Sequence, residues 1–82
     1  MVSRSQPALV LLDADLLNDK NWGILRTIKA RWPQTQCLLL TETSRQVQVA
    51  RNNGADETLF KGFSMAELSQ AIRRLCQESA RI

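Results

Sequence analysis

The sequence predicts a three-layer α/β fold: a parallel sheet built from three β-α units, with helices packed on it. Three observations carry this reading. Three short apolar runs, "ALVLL" (8–12), "QCLLLT" (36–41) and "TLF" (58–60), are too short for helices and do not alternate with polar residues, as expected of strands covered on both faces. After each run, apolar residues recur every third or fourth position, the period of one helix face. Turn or cap residues separate the pieces. Helical crossovers between buried strands imply parallel pairing with right-handed connections.

The elements follow in order. The first strand, 8–12, leads into a polar link, "DADLLNDKN". Trp22, Leu25, Ile28 and Trp32 then fall on one helical stripe, with Trp22 expected in the core and Trp32 partly exposed. Pro33 stops this helix, because the residue before a proline avoids helical geometry. The second strand is 36–41. Thr43 and Gln46 form a capping box for the next helix, Val47 and Ala50 supply its apolar stripe, and Gly54 in "NNGA" suits a left-handed stop. The third strand, 58–60, ends at Lys61 and Gly62, and Asp56 and Glu57 read as loop charges before it. Ser64 and Glu67 make a second capping box, and Met65, Leu68, Ile72 and Leu75 mark the packed face of a third helix running to about Gln77. The domain therefore covers 8–77, with a loose N-terminus at 1–7 and a tail at 78–82.

Composition narrows the function. At 82 residues the chain is one small domain, 44% hydrophobic and 23% charged, and buries only about 60–65% of its unfolded surface. It contains no histidine, which excludes His-based acid–base catalysis and most zinc sites. Cys37 and Cys76 fall in apolar patterns without metal-ligand spacing and read as reduced, buried thiols of a cytoplasmic protein. No apolar run is long enough to span a membrane. The net charge of +3 is mild. Arg26 and Lys29, and Arg73 with Arg74, read as solvated helix faces and not as a nucleic-acid footprint.

Ligands of open parallel sheets bind beyond the carboxyl ends of the strands. The residues leaving the three strands are Asp13, Thr41 and Lys61. A carboxylate can accept a phosphoryl group, a hydroxyl can bond its oxygens, and an ammonium can pair with the carboxylate before transfer and with the phosphoryl group after it. Two readings stand here: a phosphoryl site, or polar residues that merely end strands.

The stretches "LVLLDADL", "GILRTIKARWPQ", "CLLLTE", "NNGADETLFKGF" and "AELSQAI" resemble the receiver domain of two-component response regulators, a flavodoxin-like fold. The resemblance spans most of this chain but only the later part of a receiver. It implies Asp13 as phosphoacceptor, Thr41 as switch hydroxyl and Lys61 as the lysine on the phosphoryl group, with Asp15 where receivers hold magnesium through a backbone carbonyl. Departures are visible. The first strand and its acidic pair, which anchor magnesium in receivers, have no counterpart, so Asp13 and Asp15 are expected to bind Mg2+ weakly. Gly62 replaces the proline after the lysine, Leu17 the loop proline, and Thr58 the aromatic switch residue.

The expected function is a truncated or degenerate receiver-like signalling module, not an enzyme, that acts through protein–protein association, with Asp13 as phosphoacceptor. The alternatives are a magnesium-dependent phosphoreceiver in a phosphorelay and a purely structural dimerisation fragment. Expected partners are a histidine kinase or another signalling protein, and a second copy of the chain. The copy would associate through the Leu9–Leu12 strand, left at an edge, or through the Met65–Leu75 helix.

Overall fold

The computed structural model describes residues 7–17 and 20–80. The order is β1 (Leu9–Asp13), a single 3-10 turn (Ala14–Leu16), α1 (Ile24–Arg31), β2 (Gln36–Thr41), α2 (Ser44–Asn52), β3 (Glu57–Phe60) and α3 (Met65–Ala80). The strands form one parallel sheet in the order β1-β2-β3, with Leu11 beside Leu38 and Thr41 beside Phe60.

Strand alternation splits the core into two faces. On one face Cys37 and Leu39 of β2 pack with Leu25 of α1 and Ala50 of α2, joined by Val10, Leu12 and Ile28. On the other, Leu38 meets Ala71 and Leu75 of α3, with Leu9, Leu59, Leu68 and Ile72 around it. The three layers are therefore α1 and α2, the sheet, and α3. Leu38 and Leu39 are fully buried, and burying each stabilises the fold by about 1.5–3 kcal/mol.

The helix ends follow local chemistry. Thr43 and Gln46 form a reciprocal capping box on α2. Ser64 and Glu67 do the same at the start of α3, each backbone N–H reaching the other's side chain at 3.1 Å. Gly54 lies at φ +105°, in the region that favours glycine, directly after α2. Trp22 is buried one turn ahead of α1, and Trp32 is half-buried with the Arg31 guanidinium 5.5 Å from its ring centroid.

Four expectations are corrected. Met65 is not a packing residue: it is 75% exposed, and the α3 residues that pack with Leu38 are Leu68, Ala71, Ile72 and Leu75, further along the helix. Asp56 is not a free loop charge. Its carboxylate accepts the buried Cys37 N–H at 2.7 Å and pairs with Lys29 at 3.0 Å, while its own N–H donates to the Cys37 carbonyl at 2.9 Å. Glu57 begins β3 and pairs with Arg74 of α3. Cys76 is half-buried, whereas Cys37 is fully buried, and both are free thiols. In addition, α3 continues to Ala80, and the Pro7 carbonyl is held by the Thr35 hydroxyl at 2.6 Å. Among the described residues no helix is long and apolar enough to cross a membrane.

Candidate functional site

Three parallel strands deliver Asp13, Thr41 and Lys61 to one edge of the sheet. Asp13 is the last residue of β1 and Thr41 the last of β2, and Lys61 directly follows β3, with its N–H donating to the Thr41 carbonyl at 2.9 Å. At that edge the Lys61 ammonium meets Asp13 at 2.7 Å and Asp15 at 2.5 Å. It also meets Glu42, at 3.2 Å, a residue the sequence pattern did not single out.

Each carboxylate is placed by a local feature. Asp13 caps the 3-10 turn by accepting the Asp15 N–H at 2.9 Å, which swings Asp15 over the strand ends. Glu42 is the first residue past β2. Its N–H donates to Gln46 Oε1 at 2.6 Å, and this amide oxygen also takes the Thr43 N–H. The other end of the same amide donates to Asp15 at 2.8 Å. Gln46 thus caps α2 and orients Asp15 with one side chain.

The electrostatics follow. Asp13 is held below its ordinary 3.8, first by the Lys61 ammonium and then by the Asp15 N–H. Asp15 is also lowered, by hydrogen bonding with the Glu42 carboxyl, then with Lys61 and Gln46. Lys61 is raised above the ordinary lysine range by Asp13 and then Asp15, with Glu42 adding to them. All these side chains are partly open to water, so the cluster is a screened surface network and not a buried ion pair.

Thr41 stands at the same edge but is fully buried, and its hydroxyl turns to the Leu59 carbonyl at 3.5 Å. The fold therefore joins Asp13, Asp15 and Lys61 in direct contact and leaves the Thr41 hydroxyl pointed at its neighbouring strand. Asp19, the last acid of the link, lies outside the described residues.

Magnesium is the metal implied by the receiver resemblance. The carboxylates that could hold it converge on Lys61 Nζ, and among the described residues no group of three or more acidic, His or Cys side chains is arranged around a metal position. The donor set fits an ammonium and does not fit a magnesium ion while Lys61 stands there.

No protein-family model and no curated protein matches the sequence. Solved structures do match in fold. One is NtrX from Brucella abortus, a response regulator crystallised with ATP: TM-score 0.75 and 23% identity, covering 89% of this chain and 17% of that one. Another is a putative pilus assembly-related protein from Burkholderia pseudomallei K96243: TM-score 0.77 and 18% identity, covering 90% of this chain and 57% of that one. This chain thus spans less than a fifth of the first protein and just over half of the second. Its fold is receiver-like.

Proposed function

We propose that this chain is a cytoplasmic, non-enzymatic receiver-like signalling module, with Asp13 as its phosphoacceptor and protein–protein association as its output. The observation that carries the reading is the 2.7 Å ion pair between Asp13 and Lys61 at the carboxyl edge of a parallel sheet. In the proposed step an Asp13 carboxylate oxygen attacks the phosphorus of a phosphohistidine or acyl phosphate. The donor's P–N or P–O bond breaks, its electron pair leaves with the donor, and an acyl phosphate remains on Asp13. Lys61 then shifts toward the phosphoryl oxygens. The Thr41 hydroxyl follows by giving up its long contact with Leu59, a weak bond at 3.5 Å.

Association is supported by the contrast between the two sheet edges. The β3 edge is short and flanked by Asp56 and Lys61, and the Glu57–Arg74 pair lies on it. The β1 edge carries no charge before Asp13, and Leu11 there is 47% exposed. The Gln36 N–H donates to the Ala8 carbonyl, so by the two-residue alternation Leu9 and Leu11 direct their N–H and C=O groups outward. Among the described residues no strand covers this apolar edge, and such an edge invites another strand. A second copy of the chain is the proposed occupant, with the Met65–Leu75 helix as the alternative surface.

The test has two arms. Beryllofluoride, a tetrahedral phosphoryl analogue, is titrated with and without magnesium while the amide resonances of Asp13, Thr41 and Lys61 are followed. The expected result is a concerted shift that Asp13→Asn abolishes, and silence at millimolar analogue removes the phosphoacceptor. Light scattering at tens of micromolar is expected to give a dimer that Leu11→Lys dissociates, and a stable monomer removes the association.

A further inference from the structure

Two members of the cluster, Asp15 and Glu42, have no place in the phosphoacceptor trio of Asp13, Thr41 and Lys61. An ammonium has three N–H donors and no more. On Lys61 two are given to Asp15 at 2.5 Å and Glu42 at 3.2 Å, and the Asp13 carboxylate pairs with the ammonium at 2.7 Å. An arriving phosphoryl oxygen has to displace one of these partners. The charges agree with the geometry, since three carboxyl groups gather around one ammonium and leave the pocket net negative. A pocket of that sign repels the group its lysine would have to bind.

The three contacts are not equal. Asp15 is fixed from two sides, by Lys61 and by Gln46. Asp13 is the acceptor itself. Glu42 makes the longest contact and has the most exposed side chain of the three, at 53%. Its backbone N–H is tied to Gln46, while its side chain, which also lies against the Asp15 carboxylate, is the most open of the three to water. It is the partner that leaves at least cost.

We propose that Glu42 is an anion gate. Its carboxylate occupies the Lys61 donor that a phosphoryl group on Asp13 needs, so it sets how readily the site accepts an anionic ligand. This inference rests on the phosphoacceptor reading of Asp13. Glu42→Gln keeps the shape of the side chain and removes the charge. A repulsion between unit charges across about 6 Å, at the intermediate screening of a half-exposed site, corresponds to about tenfold in affinity.

The experiment compares wild type, Glu42→Gln and the double variant Glu42→Gln/Asp13→Asn, each titrated with beryllofluoride at fixed millimolar magnesium. Binding is read from the Asp13 and Lys61 amides, and the gap between wild type and Glu42→Gln is measured at low and high salt. The expected result is about tenfold tighter binding to Glu42→Gln, a gap that narrows with salt, and no response in the double variant. Equal or weaker binding to Glu42→Gln overturns the gate and leaves the phosphoacceptor standing. Silence in both wild type and Glu42→Gln overturns the phosphoacceptor reading and the gate with it. Tighter binding that persists without Asp13 also overturns the gate, because the gained site is then elsewhere.

Discussion

Replacing Asp56 with alanine removes a carboxylate that completes the start of the β2–β3 ladder. The magnitude follows from its partners. The Cys37 N–H donates to Asp56 Oδ2 at 2.7 Å, and Cys37 is fully buried, so the truncation leaves a buried donor without an acceptor. Such an orphan costs about 1–3 kcal/mol. The partly exposed pair with Lys29 adds about 0.5 kcal/mol. Together the loss is about 1.5–3.5 kcal/mol, a large part of the roughly 4–12 kcal/mol expected for a domain of this size. It corresponds to a fall in Tm of about 6–28 °C. Asp56→Asn keeps an oxygen within reach of the Cys37 N–H and is expected to lose about 1 kcal/mol. Urea denaturation followed by circular dichroism measures both variants. The reasoning fails if Asp56→Ala lies within about 0.5 kcal/mol of wild type, or if alanine and asparagine cost the same.

Three further outcomes are expected. Asp13 is held below its ordinary 3.8 by Lys61, so its contribution is present above that pH and is lost as pH falls through the lower folded value. In Lys61→Met the carboxylates instead repel one another, so the urea midpoint of this variant rises on acidification from neutral pH to about pH 4, where wild type stays flat; identical profiles would refute the cluster. Gly54→Ala is expected to cost about 1–2 kcal/mol by urea titration, purely from its positive φ, since an added Cβ meets only Lys29 Cγ at an ordinary 3.8 Å. Leu39→Ala should cost about 2–5 kcal/mol, more than Leu11→Ala, because Leu39 is fully buried and Leu11 half open.

Much of this architecture can be read directly from local chemistry. The strand at Gln36–Thr41 and both capping boxes depend on neighbouring residues only, and the structure has them where the pattern places them. Strand direction follows from the helical crossovers, which brings Asp13 and Lys61 to one edge although 48 positions separate them (61 − 13). What escapes the pattern depends on side-chain direction over long separations. Met65 fits the helical stripe, but it opens the helix and is exposed, and the packed face starts at Leu68. Asp56 sits among loop-like polar residues, and only the Cys37 N–H across the ladder reveals its role. Glu42 follows a strand like many exposed acids. The available signal was that β2 ends one residue before it, on the edge where Lys61 emerges. The Thr41 hydroxyl is ambiguous for a related reason: its position is fixed by the strand, but its rotamer is not.

The Gln46 amide has two ends, and both are committed. Its oxygen closes the first turn of α2, and its nitrogen holds Asp15. Neither end can turn away without releasing a backbone N–H or a carboxylate. A change in what Asp15 binds is therefore transmitted to the opening turn of a helix through a single rigid plane, with no loop movement between them. Amide hydrogen exchange at Glu42 and Thr43 becomes a meter for the occupancy of the strand-end cluster.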